Sequence, residues 1–363
     1  MVHGQHAFGR AILRKGVNDG EIGAPKFSHL EATFPLRLLT PQESCRDATI
    51  NAAAYRKVPF KGVGVLFMVS YGGGLVCGDN IELDVDVGSD TRLLILTQGS
   101  TKVYRERRGG DAPAVIKRAS GPAPASQQYI RYLVRENSTL ILLPAPVTCY
   151  ARSRYSQVQR IDLRSATTSS LVLLDWFTSG RLAVDGPRES TDFYRIPELW
   201  HFYLYQSRNE VRVDGQVIAR DRQQLEQDLP EVLQRSDKTE LARRCEPYTC
   251  FAFVILYGPE CKALCEALLR EYDTIQQPQP LLRSGGTLGA SHVEPPDVLW
   301  SASPLFSGAP VPGSDRQTTG KEQAGLILRI AGMRTDTVRA WLYEHLSHVR
   351  YLVGDDMYHV ALG

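Results

Sequence analysis

The chain has 363 residues, of which 43% are hydrophobic, so it can bury one large core or two ordinary ones. Its 42 basic and 40 acidic residues leave a net charge of +2, which argues against nucleic acid, since such proteins usually carry a basic patch. The N-terminus has no apolar signal core, no stretch is apolar enough for a membrane span, and the seven cysteines are scattered. We therefore expect a cytoplasmic protein with reduced thiols and with neither a nucleic-acid nor a membrane partner.

The first 26 residues are polar and glycine-rich and predict a flexible N-terminal extension, 1–26. From residue 27 onward, short apolar runs alternate with turns and no helices intervene, a pattern typical of a mainly β protein. An Asp214-Gly215 pair between two apolar runs indicates a β-hairpin. The predicted strands cover 29–38, 63–70, 81–87, 93–96, 115–119, 128–134, 139–143, 156–163, 171–177, 210–213 and 216–218.

The segment 71–104 is the most informative part of the sequence. Its glycines, above all Gly73, Gly74 and Gly78, mark sharp turns or close backbone approaches. An alternating acidic strand follows, then a run that is apolar on both faces, then the polar stretch 97–102. A phosphate-binding loop is not indicated, because the lysine and hydroxyl of that motif are missing and a strand follows instead of a helix.

Helical patterns appear only late, at 221–245, 258–272 and 335–351. The stretch 276–321 is rich in proline, glycine and serine and predicts a flexible insertion. The expected organisation is therefore a β-rich domain at 27–275, the insertion, and a C-terminal segment at 322–363 that completes the domain with a helix.

Several side chains have both a structural and a functional interpretation. Asp175 ends a buried run, so it either forms an ion pair, for which Arg181 is a candidate, or lines a polar cavity. Cys261 and Cys265 are one helical turn apart on an apolar face, which favours buried thiols over metal ligands. His345 lies on the apolar stripe of the last helix, which favours a core histidine over a metal ligand.

No nucleophile or metalloenzyme motif is present, so nothing in the sequence indicates an enzyme.

Three blocks of sequence resemble the UreD (also UreH) family of urease accessory proteins. The first is 73–104, with the "GGLV-x-GD" turn and the "TQ-x-x-TKVY" segment, where Cys77 replaces the expected small residue. The second covers 142–157, and the third is the "LLDWFTSGR" stretch at 173–181. The late motif 329–333 is similar to eukaryotic, particularly fungal, members. Many bacterial members of the family have an acidic residue where this chain has Ala145-Pro146. If that carboxylate helps nickel to pass in those proteins, this chain has no equivalent group at that position.

The resemblance implies a β-helix-like stack of many short strands with two or three C-terminal helices. It also implies a non-enzymatic chaperone of urease maturation that binds apo-urease, accessory protein F and the accessory GTPase G. Nickel would pass through an internal tunnel, so transient Ni²⁺ and no tightly bound cofactor are expected. Oxygen and nitrogen donors suit such transient binding better than a thiolate cage. The candidates for the nickel path or an interface are Asp79, Thr97, Gln98, Thr101, Lys102, Asp175 and Arg181.

Two other functions are compatible with parts of the sequence. A β-helical carbohydrate-active enzyme would need paired carboxylates on one face. Glu82, Asp84 and Asp86 do share a strand face, but alternating acids on a half-buried strand usually form its solvent side. A plain scaffold that binds partners but is indifferent to nickel is the other alternative.

Overall fold

The computed structural model describes residues 4–18, 21–41, 62–105, 124–181, 198–228, 238–275, 294–306 and 323–363. The strands of the N-terminal half are β1 (His6–Asn18), β2 (Glu21–Ala32), β3 (Leu36–Leu39), β4 (Val63–Ser70), β5 (Gly74–Leu75), β6 (Asn80–Val87), β7 (Arg92–Thr97), β8 (Thr101–Val103) and β9 (Ser126–Val134). The later strands are β10 (Thr139–Leu142), β11 (Val147–Cys149), β12 (Arg154–Leu163), β13 (Ser170–Thr178), β14 (Leu204–Val213), β15 (Gln216–Glu226), β16 (Cys250–Tyr257), β17 (Val298–Phe306) and β18 (Gln323–Gly332). The helices are α1 (Glu240–Cys245), α2 (Lys262–Thr274), α3 (Thr335–His345), α4 (Arg350–Val353) and α5 (Asp355–Leu362).

These strands form two sheets that face each other. Sheet A has seven strands in the order β15-β14-β12-β9-β6-β1-β2, and sheet B follows the path β17-β18-β16-β13-β10-β7-β4-β3. From β6 to β14 the chain passes back and forth between the sheets. As a result β6, β9, β12 and β14 stack in parallel in sheet A, and β4, β7, β10 and β13 stack in parallel in sheet B. The prediction of a mainly β, β-helix-like stack with C-terminal helices is confirmed.

The two sheets differ in how many of their faces are covered. Strand β6 alternates half-buried and buried residues, because only one face of sheet A is packed. Strand β13 is buried at every position, because sheet B is covered on both faces. An inner core layer fills the space between the sheets, and an outer core layer lies between sheet B and helices α2, α3 and α5. The period of two along β13 therefore sends Asp175 into the inner layer and its neighbours Leu174 and Trp176 into the outer one.

The prediction of a flexible extension at 1–26 is wrong for most of its length. Residues 6–18 form β1, which pairs antiparallel with β2 and parallel with β6. Its Ala7, Ala11 and Leu13 are fully buried. The glycines suggested flexibility, but Gly9 is closely packed, since a Cβ there would lie 2.7 Å from Leu36 Cδ2 and 3.0 Å from Leu83 Cδ1.

Two later predictions also need correction. The centre of the predicted insertion 276–321 is strand β17, which pairs with β18, whereas 276–293 and 307–322 lie outside the described residues. The predicted helix 221–245 begins as strand, because β15 continues to Glu226 along β14. Among the described residues of this range, 221–228 and 238–245, the helical ones are those of α1. The predicted strand 115–119 lies outside the described residues. The 258–272 and 335–351 patterns correspond to α2 and to α3 with the short helices that follow it.

Candidate functional site

The inner core layer contains a cavity of about 360 Å³ between the two sheets. We call it the interior cavity. Glycines and polar residues that follow β4 and β7 form its mouth: Gly73, Gly74, Gln98, Gly99, Ser100 and Thr101. Its deep end is formed by four buried polar side chains from sheets A and B: Gln128, Gln157, Gln159 and Asp175. The cavity thus joins the surface to a buried carboxylate.

The mouth is shaped by backbone rather than by bulky side chains. Gly73 has a φ of +74°, a conformation that L-residues adopt only at a cost. Gly74 lies against β8, and a Cβ there would come within 2.3 Å of the Lys102 carbonyl oxygen. Thr97 holds the facing loop, because its hydroxyl donates to Gly99 O at 3.0 Å and accepts from Ala145 N–H at 2.9 Å. The glycine backbone and the Thr97 hydrogen bonds therefore shape this end of the cavity.

Of the described residues that line the interior cavity, Asp175 is the one carboxylate, and just 5% of its surface is exposed. Its Oδ2 accepts hydrogen bonds from Ser207 Oγ at 2.5 Å and from Asn209 Nδ2 at 2.7 Å. Its Oδ1 lies 3.4 Å from Gln157 Nε2. All three donors come from sheet A, so the carboxylate of sheet B is bound across the inner layer. Neutral donors lower the cost of burying the carboxylate but do not neutralise its charge.

A further set of hydrogen bonds surrounds these contacts. The Tyr155 hydroxyl lies 2.7 Å from Gln128 Oε1 and 2.8 Å from Gln157 Oε1. Gln159 Nε2 donates to Asn209 Oδ1 at 3.0 Å. Tyr132 donates to Gln159 Oε1 at 3.2 Å. The deep end of the cavity is therefore a connected network of amides and hydroxyls, which holds Asp175 in one orientation.

Burial governs the electrostatics of this network. Desolvation raises the pKa of Asp175, and the hydrogen bonds from Ser207 and Asn209 oppose that rise. Desolvation also raises the pKa of the Tyr132 and Tyr155 hydroxyls, with the Asp175 charge as a smaller cause. The tyrosines therefore remain neutral donors, and Asp175 is the group whose charge can change.

The predicted site residues lie in three different settings. Thr97, Gln98, Thr101 and Asp175 all line the interior cavity. Asp79 instead fixes the turn that precedes β6, because its carboxylate accepts from Gln5 N–H at 2.9 Å and from Val76 N–H at 2.8 Å. That turn also contains Gly78, whose φ is +85°.

The remaining two predicted residues lie outside the cavity. Lys102 is exposed on β8, beside the mouth. Arg181 donates to Glu198 Oε1 at 2.6 Å. Arg181 thus pairs with Glu198, whereas Asp175 accepts hydrogen bonds from Ser207 and Asn209 and lines the interior cavity, which is the second of its two predicted interpretations.

Sequence reasoning missed the sheet A half of the network: Gln128, Gln157, Gln159, Ser207 and Asn209. A signal for the glutamines was present. In β9 and β12 they fall on the alternate positions that also carry Ile130 and Ile161, so they point inward with these apolar residues. A polar residue on the apolar phase of a strand indicates a buried network.

The other candidates for metal binding have structural roles. The His345 ring stacks on Trp341 at 4.0 Å, and its Nε2 lies 2.9 Å from Glu271 Oε1. Cys261 and Cys265 are buried in the outer core layer, where desolvation raises the pKa of the Cys265 thiol to about 12. Within the described ranges, no group of three or more His, Cys, Asp or Glu side chains could hold a metal ion. A cation in the interior cavity would therefore meet one carboxylate together with amide and hydroxyl oxygens.

In the part of the chain that the structure describes, no helix combines the length and apolar character needed to cross a membrane.

Comparison with known proteins finds similarity over nearly the entire chain. Residues 19–359 match the family described as UreD urease accessory protein. "Urease accessory protein 4" of Cryptococcus neoformans var. grubii is 32% identical over 339 residues, which cover 92% of this chain and 90% of that protein. "Urease accessory protein D" of Oryza sativa subsp. indica is 28% identical over 329 residues, 89% of this chain and 87% of the rice protein. "Urease accessory protein UreD" of Anaeromyxobacter sp. is 28% identical over 349 residues, 95% of this chain and 89% of the bacterial protein.

Proposed function

Because the chain belongs to the UreD urease accessory protein family, we propose that it acts in urease maturation as a scaffold and conduit for nickel insertion into apo-urease. In this proposal it works in complex with accessory proteins F and G, in the cytoplasm, and its role is that of a chaperone and not of an enzyme. Its family membership supports the role in urease maturation. The observation that carries the nickel step is the interior cavity, which leads from a surface mouth to the buried Asp175.

The chemistry of the cavity suits a cation that must be released again. Ni²⁺ accepts oxygen donors, but a site built from thiolates or several carboxylates would retain it. The interior cavity offers one carboxylate, the amides of Gln128, Gln157 and Gln159, and hydroxyls at the mouth. Ni²⁺ would stabilise the ionised form of Asp175, whose charge is otherwise costly in this buried place. We therefore assign to Asp175 the role of a transient ligand, with nickel as cargo.

The test is the nickel content and activity of urease from cells that lack this chain and are complemented with variants. Asp175→Asn keeps the shape of the side chain and removes its charge. We expect abundant urease that contains little nickel and has low activity. Asp84→Asn is the matched control, because Asp84 is paired with Arg131 on the outer face of sheet A, away from the cavity. Normal nickel loading with Asp175→Asn would refute the conduit and leave the plain scaffold.

The exposed rim of the mouth is the part of the conduit that a partner would contact. Gln98 and Lys102 are exposed, and Thr101 is half-buried between them and the cavity. We assign these residues to the interface through which nickel enters or leaves. Lys102→Ala is expected to weaken co-purification of accessory proteins F and G or of apo-urease, while Lys15→Ala, on the surface beside Asp90, should not. Full nickel loading and unchanged co-purification with Lys102→Ala would remove Lys102 from the interface.

A further inference from the structure

Two exposed aromatic side chains lie together beside the mouth of the interior cavity. Phe34 is 58% exposed and Tyr71 is 51% exposed, and the centroids of their rings are 5.2 Å apart. Rings with half of their surface in water forgo much of the stabilisation that burial would give them. Aromatic residues are also enriched in protein–protein interfaces. We call Phe34 and Tyr71 the aromatic pair, and it marks a candidate contact surface.

Backbone hydrogen bonds hold the segments that carry the two rings. Phe34 lies in a turn that is closed by a hydrogen bond from Leu36 N–H to Thr33 O at 2.9 Å. Tyr71 N–H donates to Pro35 O at 2.9 Å, which joins the second segment to the first. The rings are therefore presented by backbone that is already ordered, and a partner would have little backbone to immobilise on binding.

The aromatic pair and the charged strand β8 border the same opening. Tyr71 is two residues before Gly73, which lines the interior cavity. On the other side, the hydroxyl of Tyr104, the residue after β8, donates to Gly72 O at 2.8 Å. Strand β8 carries the exposed Lys102. The rings and this cation thus lie on one surface around the mouth.

The exposed charges around the mouth all have one sign. The described segments that border it are 33–41, 70–76, 97–105 and 143–149. Their charged residues are Arg37, Lys102 and Arg105, and each of these is exposed. Asp79, which follows the second segment, is buried, and its carboxylate accepts hydrogen bonds from two backbone N–H groups. Such a surface repels a free divalent cation and attracts carboxylates, so it is complementary to an acidic surface.

We propose that the aromatic pair and the three cations form a docking surface for a protein partner whose contact face carries carboxylates around an apolar pocket. The rings fill the pocket, and the cations pair with the carboxylates. The inference rests on the proposed function, because it names the chemistry of the partner that reaches the mouth. It also accounts for a cationic opening on a conduit for Ni²⁺, since a docked acidic face neutralises the repulsion that free Ni²⁺ would meet.

Two other occupants fit this surface less well. A second copy of the chain, docked by the same surface in a two-fold dimer, would bring like charges together. An anionic bilayer would attract the cations, but insertion of the rings would also bury the polar mouth, including Gln98 and Thr101, against lipid that offers no hydrogen bonds. A protein surface can supply those hydrogen bonds.

The test measures how tightly the full-length chain binds apo-urease, and separately the complex of accessory proteins F and G, by biolayer interferometry. Phe34→Ala/Tyr71→Ala should weaken binding of the docked partner about thirtyfold, which corresponds to the ~2 kcal/mol of a typical hot-spot residue. Phe306→Ala is the matched control, because Phe306 is 49% exposed on β17, the end strand of sheet B farthest from β3. It should leave both affinities unchanged.

Reversal of charge tests the acidic character of the partner's face. Lys102→Glu/Arg105→Glu should weaken the same interaction by about tenfold or more, because like charges then meet across the contact. The wild-type affinity should also fall as salt is added, and this salt dependence should diminish in the reversed variant. Lys262→Glu makes the same kind of change at the start of α2 and should have no effect.

Three results would overturn the docking surface: a wild-type chain that binds neither probe, affinities that the aromatic variant does not change, or binding that is insensitive to salt and charge reversal. Loss of binding to phosphatidylserine vesicles by Phe34→Ala/Tyr71→Ala, with both protein probes still bound, would assign the surface to a membrane instead. If the aromatic variant does not fold, the charge variant still decides, because it alters exposed side chains. Asp175→Asn should dock as wild type does, so the conduit and the docking surface can fail separately.

Discussion

The two core layers of this protein share the strands of sheet B but differ in chemistry. On β13 the side chains of Val172, Leu174 and Trp176 point to the helices and pack in the outer layer. In between, Leu171, Leu173 and Phe177 point to sheet A, together with Asp175. Apolar side chains dominate the outer layer, whereas the inner layer combines an apolar core with a cavity and a polar network.

The difference between the layers assigns stability to the outer layer and the candidate functional groups to the inner layer. A layer closed by helices over a sheet can exclude all polar groups, and close packing there contributes stability alone. The inner layer retains a carboxylate at a cost in desolvation free energy, and it offsets part of this cost with hydrogen bonds from Ser207 and Asn209. Neighbouring residues of one strand therefore have separable roles, which single substitutions can test.

The largest effect on stability is expected in the outer layer. Leu174→Ala removes a fully buried side chain and should lower the free energy of unfolding by about 2–5 kcal/mol. The measurement is the midpoint of urea unfolding. Nickel loading of urease per folded molecule should be unchanged, because Leu174 does not line the interior cavity. A selective loss of nickel loading in a stable Leu174→Ala protein would contradict the separation of the two layers.

The adjacent residue should instead show its effect in the pH dependence of stability. Burial holds the pKa of Asp175 above its ordinary value of 3.8, so the folded protein binds this proton more tightly than the unfolded chain does. Stability from this proton is present below the unfolded pKa and is lost as the pH rises through the folded pKa. Lowering the pH from neutrality toward 3.8 should therefore raise the unfolding free energy of wild type relative to Asp175→Asn.

Unfolding curves of both proteins across this range provide the measurement, and other carboxylates cancel in the difference. A difference between wild type and Asp175→Asn that does not vary with pH would mean that the carboxylate has an ordinary pKa and that the network compensates fully for burial.

The network itself should contribute less than the apolar packing. Tyr155 is fully buried, and its hydroxyl lies within hydrogen-bond distance of Gln128 and Gln157. Tyr155→Phe leaves the ring in place but removes this partner, so it should cost about 1–3 kcal/mol. Thermal unfolding measures the cost. If Tyr155→Phe is as stable as wild type, the two amides find other partners and the network is not held in one arrangement.

The periodicity of strands decides how much of the fold and of the interior cavity could be predicted from the sequence. The alternation at 81–87 and the apolar runs at 93–96 and 171–177 predict β6, β7 and β13, because a period of two is local information. Asp175 could be identified as a buried carboxylate for the same reason. The hydrogen-bond partners of Asp175 could not be identified in this way, because Ser207 and Asn209 approach it from the opposite sheet. The local sequence of a strand does not indicate which distant strand it will face.

The errors have equally specific causes. Residues 221–226 have charged side chains at a spacing that also suits a helix, but their pairing with β14 makes them strand, and only that pairing brings Asp221 beside Asn209. In β1, glycine suggested disorder because its role in close packing depends on Leu36, which is not a sequence neighbour. In both places tertiary contacts override a local preference.

The smallest effect is expected on the outer face of sheet A, which faces solvent. Arg131 Nη2 donates to Asp84 Oδ2 at 2.6 Å, yet the arginine side chain is 49% exposed. Water and salt screen such a pair, so Arg131→Ala should change the free energy of unfolding by less than about 1 kcal/mol. Urea unfolding at low and at high salt measures this, and the small difference should shrink as salt is added. If Arg131→Ala lowered the free energy of unfolding as much as Leu174→Ala does, this face of sheet A could not be simply solvent-exposed. The protein would then have a third stabilising layer, outside sheet A, in addition to the inner and outer core layers.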